Sequence, residues 1–483
     1  MTRLVLGPFN RVEGDLEVAL DVADGQVRSA EVSASLYRGF ESMLIGRDPM
    51  DALVIVPRIC GICSVSQSAA AASALADAAG LVMPANGRMA RNMIQACENV
   101  VDHLTHFYCF FTPDFARDSY AGLSWHAAMA TRFRAQRGTA LADYLPARAD
   151  FLRVMGYLAG KWPHTLALQP GGTTRAITAT EKVRLFGVLR EFRAFLEARL
   201  FADTLENFAA LDSLPALVNW ADAAATRESD FARFVQVAMA LGLEQVGRAT
   251  DHFVSVGAYA DIARPFFPAG CWQGGVVSAF DPAAVMEDAS HAWLVGNTPL
   301  PPAQGETRPQ PDGKDAAYSW CKAPRYAGQV VETGALARQM LSAHPLALDL
   351  VTRHGASVLG RIAGRMLEVA RVLPQMEAWL KEIMPGDPFC VPWQALEEGQ
   401  GVGLVEAARG ALGHWLRIER GKIASYQIIA PTTWNFSPRD AGGQPGALEQ
   451  ALVGLPVAEG EKAPVLVQHV VRSFDPCMVC TVH

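Results

Sequence analysis

Two Cys-x-x-Cys pairs lie near opposite ends of this chain of 483 residues. The first is CGIC at residues 60–63, and the second is CMVC at residues 477–480. A two-residue gap lets both sulfurs of a pair reach one ion, so two pairs can supply four thiolates to a single centre. Holding Cys63 and Cys480 at one centre closes a loop of roughly 400 residues, which is worth about 6 kcal/mol of constraint on the denatured state. The pairs therefore predict a fold in which both chain ends meet, and a metal that stabilises this fold as well as reacting.

Spacing alone leaves several kinds of site open. A single pair is typical of a zinc half-site or a redox disulfide, and two pairs are typical of a structural zinc held by four thiolates. Zinc ribbons usually bring their pairs close together in sequence, whereas here the first pair opens an Ala-rich segment. Arg58 precedes the first pair and Arg472 precedes the second. Cations beside four thiolates indicate a buried and strongly anionic site, because an uncompensated buried charge is costly.

Further motifs run in order along the whole chain. They are RVEG at 11–14, RGFE at 38–41, RICGIC at 58–63, GKWPH at 160–164, PGG at 170–172, EAARGALGHW at 406–415, APTTWN at 430–435 and DPCMVCTVH at 475–483. These segments resemble the signature segments of nickel-iron hydrogenase large subunits. The resemblance implies the large-subunit fold of that family and heterolytic cleavage of dihydrogen to protons and electrons.

The resemblance assigns the four cysteines to a nickel-iron centre. Cys60 and Cys477 would be terminal nickel ligands, while Cys63 and Cys480 would bridge the two metals. The iron would carry carbon monoxide and two cyanides, which no protein residue supplies. Sulfur suits this centre, because soft thiolates select thiophilic metals over hard cations.

Four further positions complete the implied active site. Arg409 and Thr432 stand where they would contact the nickel or hydrogen-bond a cyanide, so a buried anion would meet a cation and a donor. Asp475 belongs to the same cofactor-binding set. Cys477 or Glu13 would take the proton from dihydrogen, which makes Glu13, Cys477 and Arg409 the expected catalytic residues.

The resemblance also implies a second metal at the end of the sequence. In the family, the precursor is cut after the histidine that matches His483 once nickel is in place, so this sequence would be the mature form. His483 would then bind Mg²⁺ together with Glu41 and a carbonyl near Ile428. Magnesium prefers oxygen ligands and retained waters, so the imidazole is its less usual ligand here.

Electrons released from dihydrogen must leave the protein. We interpret the five other cysteines as buried core thiols, and they show no spacing that could hold an iron-sulfur cluster; they are Cys97, Cys109, Cys271, Cys321 and Cys390. An iron-sulfur small subunit is therefore the expected partner, in a heterodimer or a dimer of heterodimers.

Three departures from the family pattern bear on the physiological role. Most members have Val where this chain has Ile62, a smaller residue at Phe110, and His at Gln67. The first two add bulk at positions that line the gas channel, and Gln67 can hydrogen-bond near the cluster but cannot titrate. The departures favour the regulatory, hydrogen-sensing branch, with low turnover, oxygen tolerance and a histidine kinase as signalling partner. The respiratory uptake enzyme is the alternative, and a non-catalytic relative such as the complex I subunit, or a zinc scaffold, is more distant.

Composition excludes some classes of partner. The net charge is −7, with 42 Lys and Arg residues against 49 Asp and Glu, and no basic tract predicts nucleic-acid binding. Half of the residues are apolar and mean hydropathy is +0.13, which favours apolar surface for a partner. We find no apolar run of bilayer length and no secretory leader, so we expect no membrane insertion. Nine cysteines without disulfide-like spacing favour the reducing cytoplasm.

The periodicity of apolar residues predicts an α+β fold, predominantly helical, with a core bundle of long helices and flanking small antiparallel β-hairpins. We predict helices at 52–79, 89–111, 183–201 after a capping box at Thr178, and 357–379, where Pro374 bends or ends the helix. Hairpins are predicted at 16–36 and 415–428. On the helix at 89–111, we interpret His103 and His106 as hydrogen-bonded core or interface histidines. Residues 1–483 are predicted to form one domain with a Pro- and Gly-rich surface excursion at about 264–316.

Overall fold

The computed structural model describes residues 2–261, 264–310 and 312–483. Helices carry most of its regular structure. They are α1 Phe40–Leu44, α2 Ala52–Ile55, α3 Ser64–Ala78, α4 Ala85–Thr105, α5 His126–Phe133, α6 Thr139–Phe151, α7 Arg153–Ala159, α8 Ala179–Phe195, α9 Leu205–Ala209, α10 Leu214–Asp222, α11 Asp230–Ala240, α12 Ala335–Leu341, α13 Pro345–His354, α14 Val358–Glu382, α15 Pro431–Asn435, α16 Ala447–Leu452, α17 Val465–Ser473 and α18 Met478–Thr481.

The strands form small antiparallel sheets. They are β1 Thr2–Leu6, β2 Leu16–Ala23, β3 Gln26–Ala34, β4 Leu168–Gln169, β5 Gly172–Thr173, β6 His252–Ala258, β7 Phe267–Gln273, β8 Val276–Ser278, β9 Val285–Asp288, β10 Ala323–Tyr326, β11 Glu398–Ala407, β12 Gly410–Glu419 and β13 Lys422–Ile429. The sheet orders are β1-β2-β3, β4-β5, β6-β7-β8, β10-β9 and β11-β12-β13. The predicted α+β class with small hairpins is confirmed.

The two longest helices, α4 and α14, pack against each other in the core. α14 is buried along most of its length and contains Pro374, yet it continues to Glu382. The prediction that the proline bends or ends the helix is therefore wrong about the end, because packing on both flanks outweighs one lost backbone hydrogen bond. The predicted helix at 89–111 is α4 followed by a π-helical turn, His106–Phe111. There the Thr112 hydroxyl donates to the Phe107 carbonyl at 2.7 Å.

The predicted helix at 52–79 is interrupted at the first cysteine pair. α2 passes into a 3₁₀ turn, Val56–Ile59, and the backbone at Cys60 is extended before α3 begins at Ser64. Pro57 stands in the 3₁₀ turn. The interruption places the two cysteines in a loop that opens the N-terminus of α3, where both sulfurs can face one point.

The Ala-rich composition of α3 serves a close approach to β11. A Cβ atom added at Gly401 would lie 2.0 Å from the Ala74 carbonyl oxygen, and one added at Gly403 would lie 2.0 Å from that of Ala70. Both alanines are fully buried. Only glycine fits at such a distance, so the small residues on both elements fix the position of α3 against the β11-β12-β13 sheet.

Both predicted hairpins are confirmed, and each has an additional strand. β2 and β3 pair from Leu16 with Ala34 to Ala23 with Gln26, and β1 extends this sheet. β12 and β13 form the second hairpin, and β11 pairs with β12 from Glu398 with Glu419 to Ala407 with Gly410. The capping box at Thr178 is also present, since its side chain accepts from the Glu181 N–H.

The Pro- and Gly-rich segment at 264–316 holds regular structure within its described residues. β7 pairs with β6, and β9 pairs with β10. Phe267, Val285 and Leu294 are buried. The single-domain organisation stays a prediction. In the part of the chain that the structure describes, no helix combines the length and apolar character that a bilayer crossing requires.

Candidate metal centre

The four predicted cysteine ligands converge in the core. Their sulfur atoms all lie within 4.8 Å of one another, and every one of the side chains is buried. The Sγ–Sγ distances are 3.6 Å for Cys60 and Cys477, 3.1 Å for Cys63 and Cys480, and 3.0 Å for Cys477 and Cys480. These separations are too long for a disulfide bond of about 2 Å. The site is therefore a cluster of four free thiols from both ends of the chain.

Hydrogen bonds to backbone groups hold the two cysteine loops together. Arg38 donates from Nη2 to the carbonyl oxygens of Ile59 and Val479, one on each loop. Glu13 forms a parallel bridge with Cys477, and the Met478 N–H donates to the Glu13 carbonyl at 2.6 Å. The RGFE and RVEG segments therefore have a structural role, because they join the N-terminal strands to the C-terminal cysteine loop.

Arg409 supplies the positive charge beside the cluster. Its Nη1 lies 2.5 Å from Asp102 Oδ2, its Nη2 lies 3.1 Å from Asp475 Oδ1, and its Nε donates to the Asp475 carbonyl at 2.9 Å. The side chain is buried, and the negative charges of both aspartates and of Cys477 and Cys63 hold its pKa well above the usual value despite desolvation. A permanently charged guanidinium therefore faces the sulfurs.

The expectation for the two flanking arginines is wrong. Arg58 is exposed on the outer side of the 3₁₀ turn. Arg472 is buried, but its Nη1 lies 2.8 Å from Asp114 Oδ2 and its Nη2 lies 2.7 Å from Asn10 Oδ1. Adjacency in sequence did not predict which arginine faces the cysteines, because the side-chain direction depends on the turn that carries each one.

The pKa values of the two aspartates that hold Arg409 shift in opposite directions. Burial raises the pKa of Asp102 to about 7, although Arg409 opposes this effect. Burial also disfavours the charged form of Asp475, but the positive charge of Arg409 keeps its pKa below the usual value. Asp475 has a positive φ of 59° and its Oδ2 accepts no hydrogen bond among the described residues. Asp102 was missed from the sequence, because no motif spacing links it to Arg409.

Glu13 is half-buried beside the cluster. Burial and the negative charge of Cys60 raise the pKa of Glu13, while Arg409 lowers it. Thr432, at the start of α15, accepts the Cys477 N–H on Oγ1 at 3.2 Å. Its hydroxyl proton stays available as a donor. Both side chains thus stand where the resemblance expects them, and their catalytic and cofactor-binding roles stay predictions.

Glu41 and His483 meet just beyond the C-terminal end of α18. His483 Nε2 lies 3.3 Å from Glu41 Oε1, which also accepts the Ile428 N–H at 2.7 Å. The Nδ1 of His483 donates to the Cys480 carbonyl at 2.9 Å. Burial disfavours the charged ring, but the Glu41 carboxylate raises the pKa of His483, which favours a protonated Nε2 facing that carboxylate. Burial would raise the pKa of Glu41, but the charges of Lys322 and His483 lower it to about 2. Without the Nε2 proton, two acceptors would face each other here, and a cation between them would stabilise the pair.

Gln67 takes part in a buried chain of hydrogen bonds. Its Oε1 lies 3.0 Å from His414 Nε2, and His414 Nδ1 lies 2.9 Å from the Tyr426 hydroxyl. Since an amide oxygen only accepts, Nε2 donates to Gln67 and Nδ1 accepts from Tyr426. Burial lowers the pKa of His414 to about 3, so the ring is neutral. The motif EAARGALGHW contains His414, but sequence reasoning gave it no role.

Of the other predicted positions, two have roles that stay predictions and two are confirmed. Ile62 is half-buried and packs against the core, and Phe110 is half-buried in the π-helical turn; their place in a gas channel stays a prediction. The interpretation of His103, on α4, and of His106, at the start of the π-helical turn, as hydrogen-bonded histidines is confirmed. His103 Nε2 lies 3.1 Å from Glu368 Oε1, and His106 Nε2 lies 2.7 Å from the Arg472 carbonyl.

The other five cysteines are free and lie outside the sulfur cluster. Cys97, Cys271 and Cys321 are buried core thiols, as predicted. Cys109 and Cys390 are half-buried, so the interpretation as fully buried thiols is wrong for these two.

The residues present fit a thiophilic metal centre. Four buried sulfurs at short separations, next to a guanidinium and a hydroxyl, offer soft ligands, charge compensation and a hydrogen-bond donor. A zinc ion held by four thiolates would also satisfy the sulfur geometry. The geometry therefore fits a metal-binding cluster, and comparison with known proteins decides its class.

The model of the nickel-dependent hydrogenase family matches residues 38–138 and 124–483. The chain belongs to the nickel-dependent hydrogenase large-subunit family. It is 30% identical over 517 residues to the periplasmic NiFeSe hydrogenase large subunit of Desulfomicrobium baculatum, covering 100% of this chain and 95% of that protein. It is also 30% identical over 575 residues to the hydrogenase-2 large chain of Escherichia coli K12, covering 100% and 97%.

The structure of the Ni-Fe-Se hydrogenase from Desulfovibrio vulgaris Hildenborough gives a TM-score of 0.85 at 31% identity, with 100% of both chains covered. The predicted large-subunit fold is confirmed by this match. The protein is a nickel-dependent hydrogenase, an oxidoreductase, and the matched regions include all four cysteines of the cluster.

Proposed function

We propose that this hydrogenase cleaves dihydrogen heterolytically at the four-cysteine cluster and acts as a hydrogen sensor with low turnover. The convergence of four free, buried sulfurs on Arg409 is the observation that supports the catalytic part of this proposal. When bound, a nickel-iron centre supplies the redox-active site at which dihydrogen is split. Cys60, Cys63, Cys477 and Cys480 would hold it, with carbon monoxide and two cyanides on the iron.

The protein's own groups then have separate tasks. Cys477 Sγ or the Glu13 carboxyl takes the proton, and burial, which raises the pKa of Glu13, favours the protonated form of that carboxyl. Arg409 offsets the negative charge of the thiolates, and Thr432 offers its hydroxyl proton to a cofactor ligand. Burial of all four sulfurs excludes bulk water from this step.

A second ion is part of the proposal. Glu41 and His483 would bind Mg²⁺, with a backbone carbonyl near Ile428 as a third ligand. The approach of His483 Nε2 to Glu41 Oε1 at 3.3 Å supports this assignment, as does Glu41 Oε2, which has no hydrogen-bond partner within the described ranges. The ion would tie the C-terminal residues to α1 and β13 and thereby hold Cys480 in place.

Electron exit requires an iron-sulfur small subunit. The chain has no second cysteine cluster among its described residues, and the relatives above are named as large subunits or chains. Four exposed apolar side chains precede the first cysteine pair and support a docking surface there; they are Leu36, Met43, Ile45 and Val54. We place the heterodimer in the cytoplasm, where nine free cysteines would stay reduced.

The sensing role rests on Ile62, Phe110 and Gln67, the three departures that favour a narrow gas channel and an altered hydrogen bond near the cluster. A histidine kinase would then receive the signal. The second candidate is a respiratory uptake hydrogenase. The relatives support this alternative, because they are named as hydrogenases and not as sensors.

Three measurements test these proposals. In the large subunit, metal analysis should give nickel and iron in equal amounts, whereas the heterodimer should contain additional iron from the iron-sulfur clusters of its small subunit. Infrared spectroscopy should show carbonyl and cyanide stretches; stoichiometric zinc in place of nickel would contradict the assignment. Hydrogen-dependent dye reduction should be slow and should persist in air. Fast turnover that air abolishes would favour the uptake enzyme.

A further inference from the structure

A buried polar cluster adjoins the turn that carries Arg409, and the proposed mechanism does not use it. Its members are Arg338 on α12, Glu368 on α14, His103 on α4 and Glu406 on β11. All four side chains are completely buried. A buried charge is costly unless it is paired and hydrogen-bonded, so each charged group of this cluster needs a partner close to it.

Arg338 uses every N–H group of its guanidinium. Nε and Nη2 donate to the two carboxylate oxygens of Glu368, at 2.7 and 2.9 Å, and Nη1 donates to Glu406 Oε2. The remaining two N–H groups donate to the carbonyl oxygens of Ala407 at 3.0 Å and Ala408 at 2.9 Å. Arginine has five such donors in a fixed plane, so its position is determined from three elements at once.

The two carbonyls belong to the turn that leads to Arg409. β11 ends at Ala407 and β12 begins at Gly410, so residues 408 and 409 form the connection. The Glu406 carbonyl, just before them, accepts the side-chain amides of Gln95 and Asn99 from α4. The backbone on the N-terminal side of Arg409 is therefore fixed residue by residue, by Arg338 on one side and by α4 on the other.

The same helix also meets the guanidinium of Arg409. Asp102 pairs with Arg409, and the next residue, His103, bonds to Glu368. The contacts close a ring, which we name the Arg338 ring: Asp102, Arg409, Ala408, Arg338, Glu368 and His103. Two of its links are covalent chain neighbours and the others are hydrogen bonds between buried groups.

We propose that Arg338 is a positioning residue for Arg409, through which it sets the orientation of the guanidinium toward the four cysteines. The inference rests on the proposed function, because it takes Arg409 as the cation that acts on the metal centre. Arg338 itself has no contact with the cysteines in its bonds, which all go to Glu368, Glu406, Ala407 and Ala408.

Replacing Arg338 by lysine tests whether its positive charge or its hydrogen-bond geometry positions Arg409. Arg338→Lys keeps the positive charge near Glu368 and Glu406 but has three donors on one nitrogen, so it cannot bond both carboxylates and both carbonyls. In the assembled heterodimer, we expect nickel and iron to stay at wild-type amounts and hydrogen oxidation to fall about 10-fold or more, with the KM for dihydrogen unchanged. The carbonyl and cyanide infrared bands should shift in the same direction as in Arg409→Lys.

Arg325→Lys is the matched control. Arg325 is also a buried arginine with a carboxylate partner, Asp440, and it donates to the carbonyls of Pro324, Pro438 and Gln444. It shares no bond with the Arg338 ring. This variant should leave the infrared bands and the rate unchanged, which separates loss of any buried arginine from loss of this one.

The double variant Arg338→Lys with Arg409→Lys tests whether Arg338 acts through Arg409 or independently of it. If Arg338 acts through Arg409, the double variant is no slower than Arg409→Lys alone; multiplied losses would overturn the inference. Wild-type bands and rate in Arg338→Lys would also overturn it. If Arg409→Lys itself changes neither bands nor rate, the proposed role of Arg409 fails instead. Should Arg338→Lys not assemble, Glu368→Gln replaces it, and unchanged bands in that variant would refute the ring.

Discussion

Two different sets of donors lie along and just beyond the short helix α18. Cys477, which immediately precedes the helix, and Cys480, within it, join Cys60 and Cys63 in a cluster of sulfur atoms. Just beyond the end of the helix, His483 faces the Glu41 carboxylate with nitrogen and oxygen atoms. Soft sulfur donors favour nickel and iron, while a carboxylate and a carbonyl favour magnesium. Seven consecutive residues thus contribute to two candidate centres of opposite chemical preference.

The two centres also differ in how charge is balanced. The sulfur cluster has the permanent charge of Arg409, which Asp102 and Asp475 hold in place. Glu41 stands near Lys322 and His483, which lower its pKa to about 2 even though burial opposes ionisation. More anionic groups depend on a metal in the first centre than in the second. Loss of one cysteine should therefore have a larger effect than loss of Glu41.

The largest expected effect is that of Cys480→Ser or Cys60→Ser. A hydroxyl is a harder and more weakly ionised donor than a thiol, so either variant should lose nickel and iron and all hydrogen oxidation. Metal analysis of the purified protein checks this. Cys390→Ser, at a half-buried cysteine outside the cluster, should keep both metals. Full nickel content in Cys480→Ser would show that the sulfur cluster is not the centre.

Glu13→Gln should have the next largest effect. Gln keeps the shape of Glu but cannot exchange a proton as an acid, so metals should be retained while hydrogen-deuterium exchange and dye reduction fall by about 10²-fold or more. Asp15→Asn, at an exposed carboxylate two residues further on, should behave like the wild type. Unchanged exchange in the Glu13 variant would remove this carboxyl from the proton path.

Glu41→Gln tests the candidate Mg²⁺ site formed by Glu41 and His483. The amide still accepts the Ile428 N–H but carries no charge, so Mg²⁺ should be lost and Tm should fall by about 1 °C, for a loss on the order of 1 kcal/mol. Chelator should lower the Tm of the wild type and leave that of the variant unchanged. Glu17→Gln, at an exposed position, is the control. Retention of one Mg²⁺ per chain in Glu41→Gln would place the ion elsewhere.

The smallest expected effect concerns gas access. Ile62→Val with Phe110→Leu removes bulk and should make hydrogen oxidation sensitive to air while leaving both metals in place, because a constriction slows dioxygen more than dihydrogen. Gln67→His is the comparison. It replaces the acceptor of the His414 Nε2 proton and so changes a hydrogen-bonded chain without widening a channel. If this variant loses oxygen tolerance and the double variant does not, the steric explanation is wrong.

Local patterns predicted much of the fold. The hairpins β2-β3 and β12-β13 and the capping box at Thr178 were found because their signals lie within a few residues of one another. β1 and β11 were missed, since each joins a sheet whose turn signals lie elsewhere. The glycines of β11 carry meaning only beside α3, where Ala70 and Ala74 approach them. The π-helical turn after α4 likewise follows from packing rather than from periodicity.

The sequence by itself identified the candidate donors, which are the four cysteines in two pairs and, through the resemblance of the motifs, Glu41 and His483. Tertiary structure decided which charges serve them. Arg58 and Arg472 precede the cysteine pairs in sequence, but Arg58 is exposed and Arg472 binds Asp114, while Arg409 and Asp102 are 307 residues apart and meet in the core. A buried charge must find a partner within a few ångströms, and that partner is set by packing, which sequence separation does not record.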